Sequence, residues 1–174
     1  MKIALDAVGG DHGPAPCIEG AFQAISESDV EVILVGDETM LKQECGRLGY
    51  NDARVSIRHA SQVVTMEESP AAMVRKKRDS SIWVATGMVK NGEADAVVSP
   101  GNTGASMVAS FFFFFLTKGV ERPAIATSLP TVTGEAIILD VGANVDCGAK
   151  DLHQFAVMGN EYGKYLFGKP NPRV

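Results

Sequence analysis

The stretch Ala94-Asp95-Ala96-Val97-Val98-Ser99-Pro100-Gly101-Asn102-Thr103-Gly104-Ala105 decides the fold. Ala94–Ser99 reads as a strand, because the run is short, apolar and β-branched and is stopped by Pro100-Gly101. A helix follows at once, over Thr103–Lys118. A strand passing through a glycine-rich turn into a helix is the repeating unit of α/β proteins. The start of such a helix presents unpaired N–H groups and a partial positive charge, which suits an oxyanion. Gly101 and Gly104 permit close approach, and Asn102 and Thr103 add side-chain donors. Asn and Thr are also good helix caps, so the same residues fit an ordinary capped start. Both readings stay open from this loop alone. The GK[ST] ending of a P-loop is absent.

Outward from this turn, strand and helix alternate. Lys2–Ala7 reads as a strand, Ala15–Ser26 as a helix, Glu31–Val35 as a strand and Asp37–Leu48 as a helix closed by Gly49. Arg54–His59 is a third strand. Ser69-Pro70 marks a helix start, and Asp79-Ser80-Ser81 marks another that runs to Asn91-Gly92. Beyond the central helix come strands at Ala124–Leu129 and Ala136–Asp140. A final helix covers Asp151–Phe167, with Leu152, Phe155, Ala156, Gly159, Tyr162 and Leu166 as its core stripe. The pattern predicts an α/β fold: a mostly parallel sheet with helices on both faces, a three-layer Rossmann-like arrangement in one domain over 1–174. In such sheets ligands bind beyond the carboxyl ends of the strands.

Bulk properties narrow the class. The 174 residues are 45% hydrophobic with net charge −5 and mean hydropathy +0.06. That balance fits a globular core and argues against a nucleic-acid binder, which needs a broad excess of Lys and Arg. Met1-Lys2-Ile3-Ala4-Leu5-Asp6 is no signal peptide, since an acidic residue interrupts the apolar run. Cys17, Cys45 and Cys147 are scattered without CxxC spacing, which reads as reduced thiols of a cytoplasmic protein. The Ala105–Leu116 run is too short to cross a bilayer; contact with a membrane surface stays open. Asn171-Pro172-Arg173-Val174 looks like a turn into another strand, so the chain reads as a fragment of a longer protein.

Three strand ends carry unusual loops: Asp6-Ala7-Val8-Gly9-Gly10-Asp11-His12, Ser99–Gly104, and Asp140-Val141-Gly142-Ala143-Asn144-Val145-Asp146. If their strands are parallel neighbours, the loops share one rim. Asp6, Asp11, Asp140 and Asp146 fit two roles, ligation of a divalent cation or orientation of loops by accepting N–H bonds, and the second is preferred. His12 is a loop histidine that suits an acid or base role or plain solvation. Arg75-Lys76-Lys77-Arg78 holds four of the sixteen basic residues. The run fits a solvated helix face, a docking patch for an acidic partner, or an inward Lys76 or Lys77 neutralising a phosphate. Phe111–Phe115 cannot all face one core from a helix. The preferred reading is burial in a core or dimer interface, with an acyl-chain surface as the alternative.

Taken in order, these pieces resemble the bacterial phosphate acyltransferases of phospholipid synthesis, often called the PlsX family. The matching segments are Ile3–His12, Arg75–Ser81, Ala94–Ser99, Gly101–Ala105, Arg122-Pro123-Ala124, Leu139–Cys147 and His153–Gly159, so the resemblance spans the chain. Pro100 stands where the family usually has alanine, Gly148-Ala149 replaces Lys-Pro, and the phenylalanine run replaces a mixed Ala/Leu helix. Family members are considerably longer.

The resemblance implies transfer of a fatty acyl group from acyl carrier protein to inorganic phosphate, with no cofactor and no metal, in a fold like isopropylmalate dehydrogenase and phosphotransacetylase. Phosphate is the nucleophile, so no catalytic triad is needed. On this reading Asp6, Gly9, Gly10, Asp11, Ser99, Gly101, Thr103 and Gly104 form the phosphate site, and Lys76 or Lys77 offsets its charge. Asn102, Asn144, Asp140 and Asp146 are the catalytic candidates, with Asn144 donating to the oxyanion. Arg75 and Arg78 dock the acidic carrier protein. The implied setting is a cytoplasmic homodimer, with peripheral contact at the inner face of the membrane open. Two rivals remain: a phosphate acetyl- or butyryltransferase using a coenzyme A thioester, and a non-catalytic protein that binds carrier protein or membrane.

Overall fold

The computed structural model describes residues 1–142, 144 and 146–174, with the side chains of 71 and 72 left aside. It divides into two compact units, Met1–Phe115 and Leu116–Val174.

In the first unit, β1 (Lys2–Asp6), β2 (Glu31–Gly36), β3 (Val55–His59) and β4 (Ala96–Val98) form a four-stranded sheet. The order is β3-β2-β1-β4 and every pairing is parallel, with Ala4 opposite both Ile33 and Val97. Helices α1 (Pro14–Glu27) and α2 (Glu38–Leu48) cover one face. There Ile18, Ala21 and Ile25 of α1 and Leu41 of α2 bury against Val32 and Leu34. On the other face α4 (Ser81–Lys90) sets Ala85 and Met88 against Ala4, Ile33 and Val35. The central strand β2 is therefore apolar on both sides, as a doubly covered parallel strand must be. This is the expected α/β class.

Local chemistry fixes the helix ends. Asp37 caps α2 by accepting from the Met40 N–H at 2.8 Å, and Gly49 closes it in the left-handed conformation. Helix α3 (Pro70–Lys76) begins with Pro70 after Ser69. It packs with α4 and α5 (Thr103–Phe114) around Val64, Met73, Ile82, Trp83, Ala105 and Ala109.

Helix α5 stops at Phe114, short of the expected Lys118, because Phe115 turns to φ 60°. It is not buried on nearly all sides: Phe111, Phe112, Phe114 and Phe115 are exposed.

The second unit holds β5 (Ala126–Thr131), β6 (Gly134–Leu139) and α6 (Ala149–Phe167). The two strands lie where the sequence places them but pair antiparallel as a hairpin, outside the parallel sheet. Only two residues, Pro-free Val132 and Thr133, separate them, which is hairpin length and too short for a parallel crossover. Of the expected α6 stripe only Phe155 is buried; Leu152 and Leu166 are exposed. One hairpin offers too little surface to cover a long helix face. No described helix is long and apolar enough to cross a membrane.

Candidate anion-binding site

Because β1 and β4 are parallel neighbours, the loops leaving them meet at one edge of the first unit. Asp6 closes β1 and is buried, and its Oδ2 accepts a hydrogen bond from Ser99 Oγ at 2.7 Å. Ser99 Oγ in turn accepts from the Gly101 N–H at 3.1 Å. The two backbones touch here: a Cβ on Gly9 would stand 2.5 Å from Asp6 Oδ2 and 3.1 Å from Gly101 Cα. Only glycine fits. Asp6 Oδ1 is buried and has no hydrogen-bond partner among the described residues. Burial and the Asp6 charge both push the neighbouring Cys17 thiol up from its ordinary value, so it stays protonated.

The turn delivers its chain into α5, whose first N–H groups, at Thr103 and Gly104, precede the first intrahelical bond. Thr103 is exposed and Gly104 lies against Pro70. Gly10, at φ 83°, sits beside the Pro100 carbonyl. Pro100 itself supplies no N–H. Asp11 and His12 are exposed.

Asn102 is the helix cap the sequence allowed, and it also holds a distant segment, which the sequence did not reveal. Its Oδ1 caps α5 by accepting from the Ala105 N–H at 3.0 Å. Its Nδ2 lies 3.0 Å, 3.2 Å and 3.0 Å from the carbonyls of Thr65, Met66 and Glu68. Both amide protons are spent, so any contact of Asn102 with an anion falls to its backbone. The strap it holds is tied a second time. Lys77 Nζ donates to the Val63 carbonyl and to Glu68 Oε2, each at 2.6 Å. Glu68 Oε2 also accepts from the Thr65 N–H at 2.8 Å. The Lys77 ammonium, followed by the Thr65 N–H, holds the Glu68 carboxyl below the usual carboxylate range. The readable signal was Thr65-Met66-Glu67-Glu68, which has the spacing of a capping box.

The basic run is thereby divided. Lys77 is bound to the strap and is not directed at an anion. Lys76 is exposed at the far end of α3, about 9 Å along the axis from the Pro70 that touches Gly104. Arg78 donates to the Val74 carbonyl at 2.9 Å, and its guanidinium lies 5.9 Å and 5.7 Å from the Trp83 and Phe112 ring centroids. Arg75 is exposed.

The remaining candidates belong to the second unit. Asp140 has φ 65°, donates its N–H to the Ile125 carbonyl at 2.8 Å, and accepts from the Asn144 N–H at 3.2 Å through both oxygens. Asn144 Nδ2 donates to the Pro123 carbonyl at 2.9 Å, which spends one of its two protons. The Asp146 carbonyl accepts from Arg122 at 2.5 Å. The Arg122-Pro123 segment and the Asp140–Asp146 loop are thus one hydrogen-bonded piece; Ala143 and Val145 of that loop lie outside the described residues. The shared rim expected for this loop rested on β6 being a parallel strand, and β6 instead pairs antiparallel with β5. Among the described residues no three His, Cys, Asp or Glu side chains converge to hold a metal ion.

A model of the family described as "Fatty acid synthesis protein" matches residues 1–174. The chain belongs to that family. Similar curated proteins are named phosphate acyltransferase: that of Desulforamulus reducens is 52% identical over 176 residues, that of Moorella thermoacetica 49% and that of Desulfitobacterium hafniense 51%, each over 174. Each alignment covers all of this chain and 52%, 51% and 52% of those proteins respectively. The chain thus spans about half the length of the curated relatives it matches. The fold is also that of a phosphotransacetylase from Streptococcus pyogenes, with TM-score 0.68 and 20% identity over 94% of this chain and 54% of that one. EutD phosphotransacetylase from Staphylococcus aureus gives TM-score 0.65 and 18% identity, over 94% of this chain and 52% of its own. At those identities the likeness concerns the fold.

Proposed function

We propose that this chain is part of an enzyme that moves a fatty acyl group from acyl carrier protein to inorganic phosphate. One observation carries the reading: the Gly9 and Gly101 backbones are locked together by Asp6 and Ser99 at the first turn of α5, in a family whose relatives are named phosphate acyltransferase. A helix start beside closely approached glycine backbone favours an oxyanion. Phosphate is held by the N–H groups of Thr103 and Gly104, the Thr103 hydroxyl and the Gly9-Gly10 turn. Asp6 and Ser99 set the loop, and Asn102 holds the strap against it.

In the reaction a phosphate oxygen forms a bond to the thioester carbonyl carbon, the carbon–sulfur bond breaks, and the phosphate proton ends on the carrier thiol. Positioning and preorganised donors lower the barrier without a covalent enzyme intermediate. Arg75 and Lys76, exposed on α3, receive the acidic carrier protein. We place the protein in the cytoplasm as a homodimer with peripheral membrane contact.

The test is to supply the full-length protein with acyl carrier thioester and phosphate and trap acyl phosphate with hydroxylamine. Turnover with coenzyme A thioesters instead would favour the phosphotransacetylase reading, and carrier binding without turnover would favour a non-catalytic role.

A further inference from the structure

Helix α5 carries the candidate anion site at one end and a run of phenylalanines at the other. At 100° per residue, Thr103, Met107, Phe111 and Phe114 fall on one side of it. The opposite side is taken: Ala105 and Ala109 are fully buried, and Phe113 packs against Trp83 at 4.9 Å between centroids. Phe112 sits 4.7 Å from the same ring. Among the described residues Phe111 and Phe114 have no such ring partner, and they are 48% and 43% exposed. Contiguous exposed apolar surface of this kind marks a place where something binds.

We propose that the Thr103–Met107–Phe111–Phe114 stripe is the track on which the acyl chain of the substrate lies. The inference rests on the acyltransferase reading above and names the subsite that reading lacks. The occupant follows from continuity with the anion site. Thr103 is both the first residue of the stripe and a phosphate contact, so a carbonyl placed for attack there starts its chain at the polar end. The helix then runs about 18 Å, which accommodates a long extended acyl chain. The order along the stripe, hydroxyl first, then thioether, then aromatic rings, matches an acyl group read from carbonyl to methyl end. A short acyl group reaches Met107 and gains nothing from the rings.

The experiment compares palmitoyl- and butyryl-carrier thioesters with the full-length protein. In the Phe111→Ser/Phe114→Ser variant, kcat/KM for the palmitoyl donor should fall about tenfold or more, from lost apolar burial, while the butyryl donor and the phosphate KM stay unchanged. Met107→Lys, which puts a charge in mid-track, should give the same selective loss. Equal losses for both donors, no loss, or a change confined to sedimentation or vesicle binding would overturn the track. Fluorescence of bound parinaric acid separates this from the function itself. If wild-type protein makes no acyl phosphate from either donor, the acyltransferase reading fails; stripe-dependent parinaric acid binding then sustains the track, and stripe-independent binding sinks it.

Discussion

Asp6 and Ser99 stand 93 residues apart in the chain and meet at 2.7 Å, carboxylate to hydroxyl, across the ends of two parallel strands. That single bond ties the first loop of the protein to the turn that starts α5. The Asp6 carboxylate is buried, and among the described residues its other oxygen is unpaired and the Ser99 hydroxyl is its side-chain partner. Ser99→Ala should destabilise the protein by about 1–3 kcal/mol, the usual cost of stranding a buried acceptor. It should also raise the phosphate KM more than it lowers kcat. Urea unfolding and phosphate titration check the two effects.

Asn102 performs two jobs that substitutions can separate. Asn102→Ala removes the cap and the strap contacts together and should cost at least the roughly 1 kcal/mol of a helix cap. Asn102→Asp keeps an oxygen for the Ala105 N–H but has no proton for the strap carbonyls. It should therefore recover part of the stability while residues 65–68 become sensitive to limited proteolysis. Equal protease resistance in the wild type and both variants would remove Asn102 from the strap.

The Glu68–Lys77 pair makes the strap pH-dependent, and the sign is fixed. The folded state holds the Glu68 carboxyl below its ordinary value, chiefly through Lys77. Its contribution is complete above the ordinary glutamate range and is lost as pH falls through the lowered folded value. The Thr65 amide signal should thus be constant at neutrality and move only in acid. Lys77→Met should shift that transition upward, toward the ordinary range. An unshifted transition in this variant would place the origin of the effect elsewhere.

Phe115 ends α5 at φ 60°, ψ −180°, a region that suits glycine. Such a conformation costs about 1–3 kcal/mol, and the side chain is 72% exposed, so little packing offsets it. Phe115→Gly should raise the urea midpoint, corresponding to about 1 kcal/mol once the flexibility of glycine is counted. A lower midpoint would contradict the strain assigned to Phe115.

The fold of the first unit was legible because its signals are local. Asp37 before α2, Pro70 opening α3 and the Val97–Asn102 change from strand to turn can each be read within a few residues. The β5–β6 hairpin was legible as two strands but not as a pairing, since apolar content does not state direction. The short Val132-Thr133 connection was the available clue. At the site, the glycines were readable as places of close approach, but their neighbours were not. Gly9 against Gly101 and Asn102 against Thr65–Glu68 are long-range contacts, and residue type alone could not tell a donor aimed at an anion from one spent on a carbonyl. Lys77 illustrates this: a lysine in a basic run reads as surface or ligand, and its partner Glu68 makes it a strut.

The central claim, that phosphate sits where the Gly9 and Gly101 loops close on α5, is met most directly by one substitution. In Gly101→Ala the new Cβ would stand 3.1 Å from Asp6 Oδ2 and 3.3 Å from Gly9 Cα, wedging the loops apart. Acyl phosphate formation by the full-length variant, titrated with inorganic phosphate and then with acyl donor, should show a phosphate KM raised about tenfold or more, as the loss of one charge-assisted hydrogen bond would give, with the donor KM unchanged. An unchanged phosphate KM in a folded, active variant would contradict it.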